Sequence, residues 1–403
     1  MQKRRVPYKK TSYNRNRKTK HRLQGKVIYI LGILLLFIGV ILFGVIQKHG
    51  SVKGIKVTPF LSTYGTQLVD HGKPYTFAGY NMYNIASLPG HNAGCGGSIA
   101  DINSFFATLR PNSVIRMWAW QGSMAINPTT KQLDWKGIDR VLAAAKKYHQ
   151  RVIISLGTQS GECDDQQWKD SAWYQGGYKT VYNPSGLTPL SYWDYVQQIV
   201  TRYKNSKEIG MWELINEPET SDCVGYSGTA CYGHQTCVDH TRAATILRQF
   251  FDTVGGKVKA IDPNHLIESG LIGTGQCGSD NDNYTYVHQS PAIDVASYHD
   301  YHDDDAPMPG DQWNGLAMRL SQMKTIGKPL IVGEVGMLAL QSGGDCMTLD
   351  QRTDKMKAKM DAMFPAGIAG FLVWSRSPDL DTSCNFDVGN TDPLVNLINT
   401  YKL

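Results

Sequence analysis

Ile209-Gly-Met-Trp-Glu-Leu-Ile-Asn216-Glu217-Pro218 and Lys328-Pro-Leu-Ile-Val-Gly-Glu334-Val-Gly336 decide how this chain folds. Each is a short apolar run that reads as a strand buried on both faces of a parallel sheet, and each ends on a carboxylate. Acids at the mouths of two such strands are placed to flank one bond. Hydrolysis of a glycosidic bond uses such a pair: one carboxyl protonates the leaving oxygen, and the other, ionised, attacks or stabilises the sugar carbon.

Working outward, strand candidates recur at 76–80, 114–118, 151–156, 209–215, 266–270, 294–298, 329–333 and 370–374. Helical patterns lie between and after them at 99–110, 134–149, 191–205, 240–260, 312–326, 348–363 and 393–401, with a short helix around 284–289. Asp134 reads as a capping residue before helical apolar spacing. Eight strands each followed by a helix imply an α/β fold of the (β/α)8 TIM-barrel type, and no Gly-x-Gly-x-x-Gly after the first strand supports a dinucleotide fold.

The first 26 residues hold eleven Lys or Arg and no acid, and residues 27–46 carry no charge. Twenty apolar residues span about the ~30 Å of a bilayer core. The expected organisation is a basic cytoplasmic tail (1–26), a single N-terminal transmembrane helix (27–46), a linker (47–57) and an extracellular catalytic domain (58–403). The alternative is a secreted protein whose apolar segment is cleaved, although that segment is long for a signal peptide. Removing the tail's eleven charges from the formal net charge of +6 leaves −5, so a nucleic-acid partner is not expected. Oligomeric state is not legible.

All eight cysteines follow the apolar run, and none forms Cys-x-x-Cys. Disulfides are expected rather than zinc, with on the order of 100 pairings open. Each cysteine falls in a loop after a strand, the face on which such barrels carry their sites.

At Asn216-Glu217-Pro218 and Glu334 the chain resembles glycoside hydrolase family 5, in the clan of retaining (β/α)8 glycosidases and within it the mannanase- and cellulase-like enzymes, over roughly residues 60–395. Arg116 in Val-Ile-Arg-Met-Trp118, His299 and Tyr301 in Ser-Tyr-His-Asp-Tyr, and Trp374 in Gly-Phe-Leu-Val-Trp match the family pattern. The resemblance implies that Glu217 is the acid and then the base, and that Glu334 is the nucleophile, with the two carboxyls about 5–5.5 Å apart. It implies that Arg116 and Tyr301 hold Glu334 ionised, Asn216 binds the sugar 2-hydroxyl, His299 lines the cleft and Trp374 stacks under the sugar. Many family members carry a His where this chain reads Leu156-Gly157-Thr158, which leans toward the mannanase-like branch. The substrate implied is a β-1,4-linked polysaccharide, β-mannan or glucomannan before β-glucan. The alternatives are an endoglucanase or cell-wall β-glycan hydrolase, or a carbohydrate-binding adhesin without catalysis.

Other residues invite weaker readings. Glu213 lies within a strand and is expected to satisfy polar groups inside the barrel, while Glu219 reads as a solvated loop acid. His299, His302 and Asp303 to Asp305 read as a solvated acidic tip, and neither metal nor cofactor is expected. Trp118, Trp120, Trp168, Trp173 and Trp313 are candidate outer sugar platforms, and Trp212 is expected in the core.

Overall fold

The computed structural model describes residues 57–88, 95, 101–302, 308, 310–340, 343–344, 346–377 and 383–403. Eight parallel strands run in chain order around a barrel: β1 (Phe77–Asn81), β2 (Val114–Trp118), β3 (Arg151–Ser155), β4 (Ile209–Glu213), β5 (Leu266–Glu268), β6 (Ala296–Asp300), β7 (Leu330–Val335) and β8 (Gly370–Val373). β8 pairs with β1, and a parallel bridge between Glu268 and Val295 joins β5 to the start of β6. Every expected strand is found, with edges moved by one or two residues.

The helices follow the strands: α1 (Ile102–Ala107), α2 (Lys136–Tyr148), α3 (Tyr192–Tyr203), α4 (His240–Phe250), α5 (Asn281–His288), α6 (Leu316–Ile326), α7 (Leu349–Ala366) and α8 (Pro393–Thr400). α2 buries Ile138, Val141, Leu142 and Ala145, the i, i+3, i+4, i+7 stripe that turns an amphipathic helix toward a sheet. It starts two residues later than expected, because the Asp134 carboxylate accepts from Lys136 N while Trp135 occupies the cap position. α4 runs on through a π-turn (Phe251–Gly255) into Gly256–Ile261.

A three-stranded antiparallel sheet precedes the barrel at Ser62–Tyr64, Gln67–Asp70 and Lys73–Tyr75. Leu61 and Leu68 pack there with Phe77, Val114, Ile153, Met211 and Ile331, closing the end of the barrel away from the site.

The expected membrane span, 27–46, lies outside the described residues. Among the described residues no helix is long and apolar enough to cross a membrane. The eight cysteines form four disulfides, Cys95–Cys163, Cys223–Cys231, Cys237–Cys277 and Cys346–Cys384. All lie in the segments that follow the C-terminal ends of the barrel strands, which they brace around the barrel mouth.

Candidate active site

Several of the side chains singled out by sequence line a cleft of about 960 Å³ at the C-terminal ends of the strands. Its walls include Trp118, Asn216, Glu217, Tyr301, Glu334 and Trp374. Glu217 follows β4 with its backbone in the left-handed region (φ 56°), and its N–H donates to Gly270 O at 2.9 Å. Gly270 permits that approach: its own φ is +67°, and a Cβ there would lie 2.1 Å from Ile215 O. An acidic residue held at positive φ is strained backbone, the sort that surrounding structure enforces at functional sites.

Glu334 is buried near the end of β7, held from two sides. Arg116 Nη1 donates to one carboxylate oxygen at 2.7 Å, and the Tyr301 hydroxyl donates to the other. His299 Nδ1 lies 2.8 Å from Glu217 Oε1 and 3.6 Å from Glu334 Oε2. One oxygen of each carboxylate and one His299 nitrogen lie within 4.8 Å of one another. A cation could be held by such a trio, yet each of these atoms already has a partner within the protein, so the arrangement suits proton transfer at least as well.

Arg116 is the hub. Its Nε and Nη2 form a fork on Glu213 at 2.6 and 2.7 Å, Nη1 also reaches Asn81 Oδ1 at 2.9 Å, and Nη2 reaches Asn216 Oδ1. Glu213 therefore has the interior role its strand position suggested. Burial works against the Arg116 charge, but Glu213 and Glu334 outweigh it and raise the guanidinium further. Burial also raises Glu334 above the ordinary carboxylate value; His299 and Arg116 pull it down, Glu217 pushes it up, and Tyr301 lowers it by hydrogen bonding. The expected ionising influence of Arg116 and Tyr301 is present in sign, with desolvation the larger effect. For His299, burial is opposed by the charges of Glu334 and Glu217 and the Glu217 hydrogen bond, and the net direction is upward.

Glu219 corrects the sequence reading. It is buried rather than solvated, accepts from Ser221 Oγ at 2.6 Å, and lines the cleft with a carboxyl raised by burial. Trp118, Trp120 and Trp168 line the cleft, whereas Trp173 is buried in the core and Trp313 is exposed outside it. Trp212 is core, as expected. His302 Nδ1 bonds Asp300, and Asp303 to Asp305 lie outside the described residues.

Four contributors escaped sequence reading. Tyr83 stacks on Trp374 (5.3 Å, 14°) and leans on Trp118 (4.4 Å), which itself stacks on Trp120 (3.7 Å), making a continuous aromatic wall. Asn81 braces Arg116 and donates to Gly333 O at 2.8 Å. Lys359, buried on α7, bonds Asp300 at 2.8 Å and so fixes the strand end between His299 and Tyr301. Glu268 at the end of β5 is fully buried beside Glu213. Its position and that of Asn81, each at a strand end, were the only signals.

Residues 70–379 match the family described as Cellulase (glycosyl hydrolase family 5). The chain belongs to glycosyl hydrolase family 5. It is accordingly an O-glycosyl hydrolase, with the (β/α)8 barrel of that family. Mannan endo-1,4-beta-mannosidase 8 of Oryza sativa subsp. japonica is 26% identical over 68% of this chain and 78% of its own. Mannan endo-1,4-beta-mannosidase A of Hypocrea jecorina is 24% identical over 84% of this chain and 74% of its own. Among solved structures, the endo-1,4-beta-mannanase of Rhizomucor miehei superposes with a TM-score of 0.59 at 18% identity, covering 84% of this chain and 97% of that one.

In this family 5 chain, the stretch after β3 supports the site through its backbone: Gly157 O accepts from Asn216 N at 2.7 Å. Glu268 yields a test. Burial and the neighbouring Glu213 charge raise its carboxyl well above the ordinary value. A raised folded value means that its stabilising contribution is complete below the unfolded carboxylate value of about 4.3 and is lost as pH climbs through the folded value. Glu268→Gln abolishes that titration, so melting temperature relative to wild type should rise as pH increases above about 4.3. A difference that stays constant with pH would contradict a Glu268 carboxyl raised by burial and by Glu213.

Proposed function

We propose that this chain is a retaining endo-acting glycosidase that cleaves β-1,4-linked mannan or glucomannan, with Glu217 as acid and base and Glu334 as nucleophile. The observation that carries the reading is the approach of the two carboxylates to within 4.8 Å, with Glu334 gripped by Arg116 and Tyr301 and Glu217 by His299. Such closeness fits double displacement; an inverting pair stands about 6.5–9.5 Å apart to admit a water.

The steps follow from these placements. Ionised Glu334 attacks the anomeric carbon while Glu217 gives its proton to the departing oxygen, leaving a glycosyl–Glu334 ester. Glu217, now ionised, takes a proton from water, which attacks the same carbon and frees Glu334. Asn216 Oδ1 accepts from Arg116, which orients the amide so that its nitrogen is directed to a sugar hydroxyl. Trp374 and Tyr83 offer flat faces to the C–H face of the pyranose.

Mannan is favoured by the names of the relatives, mannan endo-1,4-beta-mannosidases, and by the lack of a His in the stretch Leu156-Gly157-Thr158 that follows the third strand. Four disulfides suit an oxidising compartment, and the basic tail followed by the apolar run 27–46 supports an anchored, outward-facing enzyme. Reducing-end release from galactomannan, glucomannan, cellulose and mixed-linkage β-glucan tests the substrate. The reading expects the fastest release from the mannans; release from glucans alone would overturn it.

A further inference from the structure

Glu217 and the residue before it are anchored to different neighbours. Asn216 N donates to Gly157 O, after β3, at 2.7 Å, and Asn216 O accepts from Gln159 N at 3.0 Å. Glu217 turns the other way: with φ at 56°, its N–H donates to Gly270 O, after β5, at 2.9 Å. Gly270 is held in turn by a side chain. Its N–H donates at 3.0 Å to Oε2 of Glu268, which is fully buried. The backbone of Glu217 is thus tied, through one glycine, to a carboxyl that is not part of the cleft wall.

Glu268 stands opposite Glu213 in the β4–β5 register. Glu213 accepts from Arg116 through both oxygens, and a Cβ on Gly270 would lie 3.1 Å from Glu213 Cγ, so Glu213 packs against the same glycine. As a carboxylate oxygen, Glu268 Oε1 has no hydrogen-bond partner among the described residues. A buried oxygen left so is costly, and a proton on it makes it a donor to the neighbouring Glu213 carboxylate. The electrostatics agree: burial and the Glu213 charge push the Glu268 carboxyl up, Arg116 and Ser297 pull it down, and the net direction is upward. We propose that Glu268 is a positioning residue for Glu217: as a neutral carboxyl it donates to Glu213 from one oxygen, accepts from Gly270 with the other, and so fixes the backbone that aims the acid at the leaving oxygen. This rests on the reading of Glu217 as acid and base, and extends it to a residue outside the cleft. It also joins the supports of the two catalytic carboxylates, since Glu213 holds Arg116 and Arg116 holds Glu334.

The experiment separates a misplaced acid from a general loss of structure. A dinitrophenyl β-mannobioside releases a stable phenolate that needs no proton, whereas mannopentaose needs Glu217 to protonate its leaving sugar. kcat/KM is measured on both for wild type, Glu268→Met, Glu268→Asp and Glu268→Gln, with melting temperatures as folding controls. Met matches the length and makes neither bond; Asp keeps a carboxyl but is one methylene shorter; Gln offers an oxygen to Gly270 and an N–H to Glu213. The mannopentaose-to-dinitrophenyl ratio is expected to fall about tenfold or more in Glu268→Met, against the about 10²–10⁴-fold that a positioned acid contributes. Glu268→Asp should move it in the same direction, and Glu268→Gln should return it to within about threefold of wild type. An unchanged ratio in Glu268→Met, equal losses on both substrates included, or a Gln variant as impaired as Met, would overturn the inference while leaving the mannanase reading intact. Wild type that cleaves neither substrate would overturn both. If Glu268→Met does not fold, Glu268→Asp against Glu268→Gln decides.

Discussion

Replacing Glu334 with Gln is expected to lower kcat by about 10⁴-fold or more, the scale on which removing a covalent nucleophile acts, without lowering the melting temperature at neutral pH. The two halves of that expectation come from different facts. The amide cannot form the glycosyl ester, so chemistry stops. The carboxylate it replaces is buried and costly to ionise: burial raises its folded value, so the stability contribution of Glu334 is present below the ordinary carboxylate range and lost as pH rises through the raised value. Gln keeps the shape and an oxygen for Arg116 Nη1 while removing that cost. Rates on a β-mannan, with melting curves run alongside, check both halves. Turnover within about tenfold of wild type would remove Glu334 from the mechanism.

Replacing Arg116 with Met should damage stability and catalysis together. Arg116 is 1% exposed and is the positive partner of both Glu213 and Glu334. Without it two buried carboxylates lose their counter-charge, a change that costs about 3–5 kcal/mol when a buried pair is broken. Its pull on Glu334 is downward, so its loss moves that carboxyl further up, and the acid limb of the pH–rate profile should shift to higher pH. Lys should not rescue the site, because a single ammonium cannot fork onto Glu213 while reaching Glu334 and Asn216. Denaturant unfolding and kcat/KM against pH measure the two effects. A stability loss below about 1 kcal/mol would contradict the hub role.

What could be read in advance follows from which interactions are local. β4 and β7 announced themselves because a strand covered on both faces must be apolar throughout, which makes the acid at its end conspicuous. The antiparallel strands before the barrel stayed hidden because they are three or four residues long and mix polar with apolar positions around Gly65 and Gly72. Glu219 looked like a loop acid because nothing local records that Ser221 and the cleft wall would close over it. Tyr83 could not be singled out for a comparable reason: its stacking on Trp374 joins residues 291 positions apart. The cysteines showed which face they brace but not their partners, since bridges such as Cys237–Cys277 depend on where two loops meet.

The account depends on Glu217 and Glu334 acting from opposite sides of one anomeric carbon in two successive displacements. The most direct measurement is the anomeric configuration of the first product, followed by proton NMR during the earliest turnover of a β-mannan oligosaccharide, before mutarotation. Two inversions return the starting configuration, so the β-anomer is predicted to appear first and the α-anomer only later. An initial burst of α-anomer would mean a single displacement by water and would contradict the mechanism proposed for this pair.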